Sequence, residues 1–164
     1  MASVKYGCLD PDPKTKMYPV AASQYFYHEG CNAVIVDDDG NIRQLLTLDE
    51  TIFGVAIVPA GRGAGASDSY WLSSATAGAD KIPVVMAISG YTFLFPSDAT
   101  ITESMKGNAC DIVAVNDGTA TYVAPGTGTE DVFTIEDLGI NVSAKASATD
   151  VVVKLNLNNL QSDT

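Results

Sequence analysis

The sequence predicts an all-β protein: a single β-barrel or β-sandwich with short turns, at most one short helix and an extended N-terminal arm. Three observations carry this expectation. β-Branched and aromatic residues gather in many short runs, which suits strands. Turn residues interrupt those runs about every 8–12 positions, the spacing of a sandwich or barrel. The chain has 164 residues, of which 46% are hydrophobic. That length suits one domain, and that apolar content is too high for a disordered chain.

Taken in order, residues 1–24 stand apart. Pro11, Pro13 and Pro19 lie among Lys14, Lys16 and small polar residues. Proline removes backbone donors and resists helix, so the segment reads as an extended arm (1–24) in front of a β body (25–164). From residue 25, YFYHEG and CNAVIV read as strands, and DDDGN at 37–41 as a turn. RQLLTL and FGVAIV follow as strands, then a glycine-rich loop from Pro59 to Ser69, then the strand YWLSS. After the turn TAGADK come IPVVMAI, YTFLF, DIVAV, ATYVA, DVFTIEDLGI, NVSAKA and VVVKLNL. The most strand-like positions supply the expected core: Val34, Ile35, Val36, Val55, Ile57, Val84, Val85, Phe93, Phe95, Ile112, Val113, Val151 and Val153. Residues 98–107, DATITESMKG, depart from the β pattern. Thr100 and Glu103 fit a capping box and Gly107 a C-terminal cap, so a short helix or turn is expected there.

The motifs that suggest chemistry fail in their contexts. Gly61, Gly63 and Ala66 match G-x-G-x-x-[GA], the dinucleotide fingerprint. That fingerprint needs a helix at its third position to receive the pyrophosphate. SDSYWLSS follows instead, rich in residues that favour caps, turns and strands. An EF-hand loop begun at Asp37 puts Ile42 and Leu48 where glycine and glutamate are required. Asp39-Gly40 is a hairpin turn instead. His28 is the sole histidine and cannot supply a His-rich zinc site. Glu130-Asp131 and Glu136-Asp137 are adjacent pairs, and neighbours in a strand point to opposite faces. Asn141-Val142-Ser143 is a glycosylation sequon whose meaning depends on secretion. The expectation is therefore no catalytic residue, no cofactor and no metal. An enzyme with a non-obvious site is the third reading, behind two structural or binding ones.

Charge and cysteine content narrow the class further. Twenty acidic residues against nine basic give a net charge of −11. Such a field repels phosphate backbones, so nucleic-acid binding is not expected. Cys8, Cys31 and Cys110 are odd in number and far apart in sequence, which reads as buried free thiols. The N-terminal residues lack an apolar signal region, and no apolar run is long enough to span a membrane. A soluble protein that stays where it is made is expected.

Residues 107–123, GNACDIVAVNDGTATYV, carry a pattern of form G-x-x-C-D-[IL]-V, a short turn and a Tyr/Val strand. Upstream lies YTFLFPSD, an apolar strand ending at a proline, and downstream DVVVKLN, of form VxVKxN. Together these resemble the head decoration, or capsid cement, proteins of tailed bacteriophages, over residues 53–157. The resemblance implies a β-barrel or β-sandwich body on the outer face of an icosahedral capsid, which it stabilises. It implies the major capsid protein as partner, other copies of the chain as further partners (a trimer among the options), and a virion location after synthesis in the host cytoplasm. A tail or fibre domain, or a glycan-binding virion module using Trp71 and the tyrosines, is the alternative.

The arm supplies the expected contact residues: Tyr6, Leu9, Lys14, Lys16, Met17 and Tyr18. A free linker is richer in Gly and Ser and poorer in aromatics. Apolar side chains on a segment barred from helix and central strand therefore point to docking on a partner chain, either the shell protein or another copy.

Overall fold

The β-branched and aromatic runs become strands, thirteen of them among the residues that a computed structural model describes: 7–10, 12–27, 32–45, 51–58, 70–86, 90–116, 120–125 and 132–156. In chain order they are β1 (Gly7–Cys8), β2 (Thr15–Pro19), β3 (Tyr25–Tyr27), β4 (Ala33–Val36), β5 (Ile42–Gln44), β6 (Gly54–Ala56) and β7 (Tyr70–Leu72). There follow β8 (Lys81–Met86), β9 (Thr92–Pro96), β10 (Ala109–Asn116), β11 (Ala120–Ala124), β12 (Phe133–Leu138) and β13 (Asp150–Leu155). They form a six-stranded sheet, β1-β9-β13-β12-β10-β11, a five-stranded sheet, β2-β8-β6-β4-β5, and a ribbon, β3-β7. The fold is an all-β sandwich.

Both large sheets curl. Ser97 bridges Val123 in parallel, and the Asp98 amide donates to the Val123 carbonyl at 3.0 Å, so β11 returns to the end of β9. Val20, just past β2, likewise bridges Ile42 of β5.

The five-stranded sheet is buried on both faces. Ala33, Val55 and Val85 enter a core shared with Phe93, Phe95, Ile112, Phe133 and Val153 of the six-stranded sheet. Val34, Ile42, Ala56, Ile82 and Val84 face the other way and pack with Phe26 and Trp71 of the ribbon. Phe26 pairs in register with Trp71, and their rings stack at 5.9 Å. Adjacent residues of one strand thus serve two cores, as the period-two alternation dictates. β6 and β8 come close at Gly54, where a Cβ would stand 2.7 Å from Val84 Cγ1 and against the Val85 carbonyl oxygen.

The core expectation holds for Val34, Val55, Val84, Val85, Phe93, Phe95, Ile112, Val151 and Val153, all buried. Ile35 and Val36 are half-buried, and the Val113 side chain lies outside the described residues. Ile57, just past the end of β6, is exposed instead. The 37–41 hairpin forms as expected: Gly40 takes φ +83°, and the Asp37 carboxylate accepts the amides of Asp39 (3.0 Å) and Asn41 (2.9 Å). Residues Glu103–Met105 form a single 3₁₀ turn. Its cap is Thr102 rather than Thr100, with no side-chain cap bond, so the capping box is absent. NVSAKA, expected as a strand, is a run of turns. Ser143, Ser147 and Asp150 accept backbone amides locally, which competes with a ladder.

The N-terminal segment is extended, as expected, and it also pairs into both sheets. Proline is disfavoured in a helix or a central strand but is accepted at a sheet edge, and both parts of the segment become edges. β1 borders the six-stranded sheet and β2 pairs with β8 along its whole length. Residues 20–24 are then fixed by a polar network. The Val20 amide donates to Asp80 O (2.9 Å), the Gln24 amide to Ser73 Oγ (2.8 Å), and the Gln44 amide to Gln24 Oε1 (3.0 Å). Val20 itself is 1% exposed. Hydrogen bonding therefore runs straight across the expected boundary at residue 24. Deleting residues 1–20 is expected to destabilise the fold: losing buried Val20 alone costs about 1.5–3 kcal/mol, or a melting-temperature drop of roughly 3–12 °C. Circular dichroism melts of the truncated and full chains check this, and equal midpoints contradict it.

Candidate interaction surface

β2 is the natural place to look for a binding surface, because it brings three of the expected contact residues to a sheet edge. Its pairing with β8 decides where each side chain points. Thr15 pairs with Val85, Lys16 with Val84, Met17 with Pro83 and Tyr18 with Ile82. Paired residues share a face, so Tyr18 turns to the ribbon side, where its ring meets Phe53 edge-on at 4.9 Å. Lys16 is exposed, its ammonium 5.4 Å over the Tyr18 ring. Met17 turns to the opposite face and is 55% exposed. Lys14 is exposed and its amide donates to the Tyr91 hydroxyl at 3.1 Å. Leu9 stands apart at the edge of the other sheet, 37% exposed, its amide bonded to Thr92 O. Tyr6 lies outside the described residues.

Register adds two residues that sequence reasoning missed. The Ile57 amide donates to the Pro83 carbonyl at 2.9 Å, which continues the row Met17–Pro83 across the sheet. Ile57 is 37% exposed and Pro83 half-buried. One strand repeat further along the same face, Thr15, Val85 and Val55 align, and the two valines are in the shared core. No local signal in the sequence marks this row, since Ile57 and Val55 look alike there and only the pairing separates them.

Electrostatically the surface belongs to the basic part of the chain. Residues 1–24 hold three lysines and two aspartates, a net +1; the remaining residues hold six basic and eighteen acidic side chains, a net −12.

The residues weighed for chemistry sit as follows. Trp71 is 8% exposed and stacked on Phe26, so it is a core residue and presents no open face to a sugar. Cys110 is buried, and Cys8 is half-buried with its thiol pushed up by burial. Cys31, His28, Glu130, Asp131 and the glycine loop lie outside the described residues, but the first described element after that loop is strand β7, not a helix. Among the described residues no three His, Cys, Asp or Glu side chains are placed to hold a metal.

The three stretches that carry the family resemblance come together. β9 pairs with β13 over five residues, β10 forms a hairpin with β11, and the Ser97–Val123 bridge joins the first group to the second. Within G-x-x-C-D, Gly107 takes φ +88° at the turn, and Cys110 and Asp111 are buried. Comparison of the chain with protein-family models, curated proteins and solved structures found no match in any of the three.

One charged cluster clamps the 3₁₀ turn to the six-stranded sheet. Lys106 Nζ lies 2.7 Å from Glu103 Oε2 and 3.0 Å from Asp137 Oδ1. Asp137 Oδ1 also accepts Asn141 Nδ2 (2.7 Å) and the Leu138 amide (2.8 Å). The Asn141 bond, then Lys106 and the Leu138 amide, hold the Asp137 carboxyl below its ordinary value, while Glu103 and Asp137 raise the Lys106 ammonium. A lowered carboxylate stabilises the fold above the unfolded value of about pH 4. That contribution is lost as pH falls through the lower folded value. Asp137→Asn is therefore expected to melt below the native chain at neutral pH, with the gap closing in acid. Melts from neutral pH down to about pH 2 test this, and a gap that does not change with pH contradicts it.

Proposed function

We propose that this chain is a virion structural protein that binds the outer face of an icosahedral phage capsid and stabilises it. The observation that carries the reading is the convergence of the resembling stretches. YTFLFPSD, the G-x-x-C-D-[IL]-V hairpin and DVVVKLN come from three parts of the sequence and build one curled sheet with a common aromatic core. Two physical features support the same reading. A net charge of −11 keeps copies apart at the high local concentration of a coated shell. A curled sheet also leaves few free strand edges to pair with neighbours.

The partner in this reading is the major capsid protein, and the site of action is the capsid surface. The full chain should be added to capsids that lack it, and bound copies counted after sedimentation. Binding in numbers comparable to the major shell protein, with a raised temperature of capsid disruption, is the expected result. Absence of binding contradicts the proposal. Binding of a few copies per particle favours a tail or fibre module.

A further inference from the structure

We draw no further inference here: the strongest candidate, the apolar row Met17–Pro83–Ile57 on the face of the five-stranded sheet turned to the six-stranded one, carries nothing because nothing in the structure shows what covers it.

Discussion

The five-stranded sheet is dry on both faces, and the other layers depend on that. Val84 and Val85 are consecutive, yet each is fully buried in a different core. The six-stranded sheet covers one face and the β3-β7 ribbon the other. A sheet in this position has no place for charge at its centre, and the one charged residue of its described middle strands, Lys81, stands exposed at the start of β8. It must also come close to its neighbours without side-chain bulk at every position, which is the role of Gly54 between β6 and β8. On the face turned to the six-stranded sheet, water reaches the row at Met17, Pro83 and Ile57, which runs past the cover.

The N-terminal segment follows from the same constraint. A sheet buried on both faces needs its edges closed, and β2 closes one. The prolines that exclude the segment from the sheet interior make it suitable there. The network through Gln24, Ser73, Asp80 and Gln44 then supplies partners to backbone groups that the curl would otherwise leave unpaired. The same segment therefore holds the fold with Tyr18 and Val20 and faces outward with Lys14, Lys16 and Met17.

Much of this was legible in the sequence because it is local. Strand positions, the Asp39-Gly40 hairpin and the core valines follow from side-chain shape and turn chemistry over a few residues. What was not legible depends on pairing between distant segments. Period-two alternation in AVIV shows that residues face two ways, but not that both ways are covered. The prolines indicated an extended segment, and only the pairing with β8 shows that it joins a sheet. The same pairing decides that Tyr18 is a core residue while Met17, its neighbour, is a surface one. NVSAKA misled because a short run of small residues has weak strand preference, and Ser143 and the nearby Ser147 bind local amides instead. The exposed row has no sequence signature, since it is created by the register of three strands.

Paired single substitutions in β8 test the two-faced sheet most directly. Val84→Ala and Val85→Ala should each lower the unfolding free energy by roughly 1–4 kcal/mol in denaturant titrations. The two losses should be similar and close to additive, because the side chains sit in separate cores. A sheet with one wet face predicts instead that one of the two substitutions is nearly neutral, and that outcome would contradict the account.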